Sequence, residues 1–243
     1  MKGTLNFESK NSNPDNYREK SKRFWVGLIA LFVTGMVSGQ SVLSKIPATG
    51  NSWSSFIPGG YDTLMVAKGD LNNDQLEDLA MVLKSKKEDD KDANPNVEPP
   101  GRLLVLLFKT ADGYKTAVKL DSAILCQQCG GIFGDPFADI SIKKNVLTLY
   151  HYGGSAWRWE LTHRFRYQQN DFYMIGETNY SYWNVKMCNK AGDYAGTDLK
   201  DVNYLTGQYV EKKITEECKV LVNKKGKRVV EPLKKLSDFK IEN

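Results

Sequence analysis

Apolar and polar residues alternate with a period of two along much of this chain, and no window carries a sustained helical period. The clearest case is WRWELTHRFRY, residues 157–167. Trp157, Trp159, Leu161, His163, Phe165 and Tyr167 fall on one face, and Arg158, Glu160, Thr162, Arg164 and Arg166 on the other. Such alternation predicts a strand with one buried face. ADISIKKNVLTLYHY before it reads as strand, polar turn, strand, and QQND after it turns the chain into a partner, FYMIGETNYSYW. Upstream, YDTLMVAKGD and EDLAMVLK flank an acidic loop, RLLVLLF is a continuous apolar run of strand length, and TADGYKTAVKL carries a hairpin signal at Asp112-Gly113. KSKKEDDKDANPNVEPPG, residues 84–101, has no apolar period and predicts a solvated loop. In the tail, short strands are expected around a Lys-Lys-Gly-Lys turn at 224–227. The expected fold is mainly β, built of antiparallel sheets.

The N-terminus breaks this pattern. Lys20, Lys22 and Arg23 precede the fourteen-residue apolar run Phe24–Val37, and Val37-Ser38-Gly39 places small residues at its end. That run is short for a membrane span and suits a signal peptide over residues 1–39, with a retained N-terminal anchor as the competing reading. Export is expected, to the periplasm, the cell surface or the medium, with residues 40–243 as a single mainly-β domain that has no membrane span after cleavage. The whole chain has a net charge of +5; residues 40–243 hold 28 Lys/Arg against 26 Asp/Glu, a net +2. That balance lacks the basic footprint of a nucleic-acid binder. Export also changes how the four cysteines read, because an even set in an oxidising compartment favours disulfides. The preferred pairing is Cys126–Cys129 with Cys188–Cys218, since close spacing lowers the closure cost of the first bridge. A four-cysteine zinc site would more typically show a second C-x-x-C.

Chemistry concentrates in GDLNNDQLEDLAMVL, residues 69–83. Counting Asp70 as position 1, oxygen-bearing side chains fall at positions 1, 3, 5 and 9: Asp70, Asn72, Asp74 and Asp78. Leu76, at position 7, offers its backbone carbonyl. Oxygens in this series can wrap a hard cation such as calcium, whereas a solvated acidic turn is the alternative. Position 12 is Met81, so the bidentate glutamate of an EF-hand is missing. AKGDLNNDQLEDLAMVL resembles the calcium loop of FG-GAP or VCBS-type repeats, roughly G-D-x-[ND]-x-D-G-x-x-D-L. That resemblance implies Asp70, Asn72, Asp74, the Leu76 carbonyl and Asp78 as ligands. It also implies a blade-like β unit, taken here as residues 53–120, ahead of an aromatic-rich β meander over 121–243. Asn73 and Gln75 stand where the family has glycines, and only one copy is present, so a full propeller is not expected.

Signals of catalysis are thinner. Ser155 follows two glycines, but Trp157 occupies the position where a nucleophile elbow needs glycine. CGGIFGDPF lacks the Lys-Ser/Thr of a phosphate loop. His163, on the aromatic face of its strand, reads as a packed core histidine. His151 lies near a strand end and is the freer of the two; paired with Asp135 it supports an alternative reading as an exported hydrolase. Tyr150, Tyr152, Trp157, Trp159, Tyr167, Tyr173, Tyr180, Tyr182 and Trp183 are dense in one segment. They either fill a β core or bind a glycan, peptide or protein. The expected role is binding or structural, with calcium as cofactor. An exposed aromatic patch would favour a binder, and a convergent pocket holding His151 with a carboxylate would favour an enzyme.

Overall fold

A computed structural model describes residues 41–90 and 101–242. The signal-like segment and residues 91–100 lie outside the described residues, and residues 40–243 form one compact unit. Twelve strands are present among the described residues: β1 Thr49–Gly50, β2 Tyr61–Gly69, β3 Asp78–Ser85, β4 Leu103–Thr110, β5 Gly113–Leu120, β6 Phe137–Lys143, β7 Val146–Gly154, β8 Trp157–Gln168, β9 Asp171–Met187, β10 Tyr194–Asn203, β11 Gln208–Ile214 and β12 Val220–Lys227. Among the described residues, helical structure is confined to four single 3₁₀ turns of three or four residues, and no helix is long and apolar enough to cross a membrane.

Two antiparallel sheets result. The first has five strands in the order β1-β5-β4-β3-β2, the second seven in the order β12-β11-β10-β9-β8-β7-β6. Neither is a closed barrel or a propeller, so the chain is mainly β as the alternation requires. In the first sheet, β2 to β5 form an up-and-down meander, and all of its strands lie before residue 121.

The continuous apolar runs have a physical origin, because β3 and β4 are buried on both faces. Ala80, Val82, Leu104 and Leu106 face the second sheet, where Ile140, Leu147, Leu149, Leu161, Phe165 and Phe172 complete the core. Leu79, Met81, Leu83, Leu103, Val105 and Leu107 face the other way and are covered by Ile46 and Phe56 from the N-terminal turns. The C-terminal residues Leu236, Phe239 and Ile241 enter the core between the sheets. The Ile241 N–H donates to the Ser122 carbonyl, and Ser122 Oγ donates to the Phe239 carbonyl at 2.7 Å.

β8 shows the expected alternation, with Leu161, His163 and Phe165 buried. The turn after it, Gln169-Asn170, has both residues at positive φ, matching the twist of a two-residue hairpin. The 224–227 segment differs from expectation: Lys-Lys-Gly-Lys is not a turn but the end of β12. Gly226 stands directly opposite Tyr209, and a Cβ there would lie 2.9 Å from the tyrosine hydroxyl oxygen. Glycine is present to admit that ring, as aromatic residues cover glycines in sheets.

The charged 84–101 segment also departs from a solvated loop over its first part. β3 runs to Ser85, a 3₁₀ turn follows at Lys86–Asp89, and the Glu88 side chain is only 2% exposed. Its partner is Arg102, which explains why no apolar period was needed to order it.

Both disulfides join the expected cysteines, Cys126–Cys129 and Cys188–Cys218, and no free cysteine remains. Such bridges persist in oxidising compartments. Cys188–Cys218 ties the end of β9 to the β11–β12 connection.

Candidate metal centre and its surroundings

The β2–β3 connection brings Asp70, Asp74 and Asp78 together, with one carboxylate oxygen from each within 4.8 Å of the others. Three carboxylates at that separation could hold a metal ion. Local hydrogen bonds shape the loop. Asp70 accepts from the backbone N–H groups of Asn73 at 2.6 Å and Gln75 at 2.9 Å. Asp74 accepts from the Leu76 N–H at 2.8 Å. Asn72 Oδ1 accepts from the Asp74 N–H at 3.0 Å, and its Nδ2 donates to Asp74 Oδ2. The Leu76 carbonyl accepts from the Asp78 N–H at 3.2 Å. Of the five expected ligands, the three aspartates converge, while Asn72 and the Leu76 carbonyl are engaged in turn hydrogen bonds.

Winding the loop this tightly requires left-handed backbone at two places. Asn73 has φ 65° and Gln75 φ 68°, the second at the position where the resembled pattern carries glycine. Asparagine tolerates this region, and glutamine does so at a cost. Gln75→Gly is therefore expected to stabilise the protein by about 0.5–1 kcal/mol, read as a shift of the urea midpoint, net of glycine's larger unfolded-state entropy. An unchanged or lower midpoint would show that no strain resides there.

Asp78 is the buried member, 0% exposed. Its Oδ2 accepts from the Leu71 N–H and its Oδ1 from the Lys109 N–H, both at 2.8 Å, so it ties the loop and the end of β4 to the start of β3. Burial pushes this carboxyl above its ordinary range; the two N–H groups oppose that shift and Asp74 adds to it. The second sheet also touches the loop: Asn145, in the β6–β7 turn, donates to the Asp70 carbonyl at 2.9 Å.

His151 and Asp135 are not arranged as an exposed acid–base pair. His151 is 0% exposed, stacked edge-on to Phe137, with Nε2 3.4 Å from the Leu125 N–H and Nδ1 without a partner. The strand-end position left it looking free, but the 123–137 segment packs over it. Burial pushes its pKa down to about 3, aided by His163 and Arg102 and opposed by Asp135. His163 is a core residue as expected, its ring 4.7 Å from Phe239, and burial lowers its pKa too.

Asp135 belongs instead to a pairing that sequence reading missed. Arg102, with 1% of its side chain exposed, donates to both Asp135 oxygens at 2.7 Å and to Glu88 through Nη2 at 2.8 Å and Nε at 3.1 Å. Burial works against its charge, and the bonds to Asp135 and Glu88 more than restore it. The three residues lie 14 and 33 positions apart, and no local spacing connects them. The only trace in the sequence is a lone arginine opening the apolar run of β4.

The aromatic segment divides. Phe165 and Phe172 are core, and Tyr182 is buried, while Trp157 is 44% exposed. Tyr150 and Tyr182 direct their hydroxyls to Glu160, at 3.2 and 3.5 Å. Beside them the 129–136 loop carries two exposed apolar residues, Ile132 at 80% and Phe133 at 46%. The loop is pinned to β7 where Gly131 and Gly154 pair, both at positive φ. The Phe133 ring lies 5.7 Å from that of Tyr152 and 3.8 Å from the Arg158 guanidinium carbon.

Comparison of the chain with family models, curated proteins and solved structures gives no match.

Proposed function

We propose that this is an exported, calcium-clamped β protein with a binding role, its β2–β3 loop and Asp78 being a single FG-GAP or VCBS-type calcium loop. The observation that carries the reading is the convergence of Asp70, Asp74 and Asp78 on a loop whose left-handed Gln75 stands at the glycine of the resembled pattern. Three carboxylates within 4.8 Å repel one another, and a hard cation among them reverses that repulsion. Calcium here is structural: the loop joins two strands and touches the second sheet through Asn145. The partner is a glycan, peptide or protein. The exposed Ile132 and Phe133 favour binding over hydrolysis, because His151 has no exposed surface. The disulfides support an oxidising compartment outside the cytoplasm.

Thermal melting in calcium and in chelator tests the metal reading. Calcium at about a hundredfold over Kd is expected to stabilise the native state by about 2.7 kcal/mol. Asp74→Ala should remove most of that response, and Asp112→Ala, in the β4–β5 turn, should retain it. Identical melting of the wild type in both conditions would reduce the loop to a solvated acidic turn.

A further inference from the structure

We propose that Arg158, beneath Phe133, is the receptor for a monocarboxylate bearing an apolar substituent. The proposal names the ligand class of the binding role above and rests on that role. Arg158 Nε and Nη1 are buried without a hydrogen-bond partner. A guanidinium stays charged at all ordinary pH, so buried N–H groups lacking acceptors are costly. The same fold shows what a satisfied buried arginine looks like: Arg102 is gripped by two carboxylates. Arg158 has no such partner among the described residues.

The ligand's chemistry follows from the surroundings. Phe133 covers one face of the guanidinium at 3.8 Å, and Tyr152 lies 5.9 Å away. Stacking on a ring occupies the face and leaves the in-plane N–H groups for a planar acceptor; because Nε and Nη1 lie on different edges, a carboxylate would grip one of them together with Nη2. Glu160, two residues along the same face of β8, accepts only tyrosine hydroxyls and makes no ion pair among the described residues. Its negative charge disfavours a dianion such as phosphate, so one cation takes one monoanion. The exposed side chains of Ile132 and Phe133 give the substituent an apolar rim. The carboxylate belongs either to a free small acid or to an acidic side chain flanked by apolar residues in a peptide.

The test follows the arginine Nε–Hε signals of the intact protein by NMR during titration with butyrate, a capped leucine–glutamate–leucine tripeptide, inorganic phosphate and butylamine. Butyrate and the tripeptide should displace the Arg158 signal saturably, with phosphate weaker and butylamine without effect. Arg158→Lys keeps the charge but loses the fork, and should weaken butyrate about tenfold or more. Phe133→Ala, which leaves Arg158 in place, should weaken it severalfold. Tripeptide binding about tenfold tighter than butyrate identifies a peptide source, and equal affinity a free acid. No saturable displacement by butyrate, an equal response to phosphate, or undiminished binding in both variants would overturn the proposal. The calcium-dependent melting shift separates the two failures: if it persists without carboxylate binding, only this inference falls.

Discussion

Replacing Arg102 with methionine is expected to lower the unfolding free energy by about 3–5 kcal/mol, the usual cost of removing one partner from a buried ion pair. The size comes from what is left behind. Glu88, 2% exposed, loses its only ion-pair partner among the described residues, and Asp135, 34% exposed, loses a bidentate one. Adding Glu88→Gln to Arg102→Met removes the stranded charge and should recover a substantial part of the loss. Lys68→Met is the contrast, because its bridge to Glu77 joins side chains 64% and 63% exposed. Such a pair is worth less than about 1 kcal/mol. Urea midpoints of the four proteins decide the matter. A small loss in Arg102→Met would mean that Glu88 finds water or another donor.

Acid should destabilise the protein well above the range in which its carboxylates titrate. His151 has an ordinary pKa of 6.5 and is held at about 3 in the fold. Between those values the unfolded chain binds the proton and the folded one refuses it, so stability falls as pH drops below 6.5. At about 1.4 kcal/mol per pH unit, His151 alone accounts for a loss of about 3 kcal/mol by pH 4. His163 shifts in the same direction and steepens the fall; Glu177 opposes its shift, and Arg164 and Lys234 reinforce it. His151→Gln should flatten the stability profile between about pH 6 and 5, where histidine is the one side chain whose unperturbed pKa brings its charge change. An unchanged slope would show that the imidazole reaches solvent before the fold opens.

Much of this architecture was legible because its cause is local. The β8 face is written in strict alternation, and the apolar runs of β3 and β4 record strands covered on both sides. The clustering of Asp70, Asp74 and Asp78 could be read for the same reason: the loop and its flanking strands fall within the twenty-five positions from Tyr61 to Ser85. Arg102 with Glu88 and Asp135 could not be read, since ion pairing between remote segments imposes no period on a sequence. His151 was misplaced because a strand end looks exposed until the segment packed over it is known. Gly226 misled for a related reason, since glycine serves both a reversal and a ring seated on a strand.

The position of Leu236, Phe239 and Ile241 in the core between the sheets bears on the order of assembly. These residues seal a core whose other walls come from β3, β4 and β6 to β9, and the Ser122–Phe239 bond spans 117 positions. A ribosome delivers the first sheet long before the residues that close it. Until the last few emerge, the apolar faces of both sheets share an open seam, and such exposed surface is where chains associate wrongly. Closure of the core between the sheets therefore waits on residues 236–241, and the interval before they arrive is when the open seam is most exposed to wrong association.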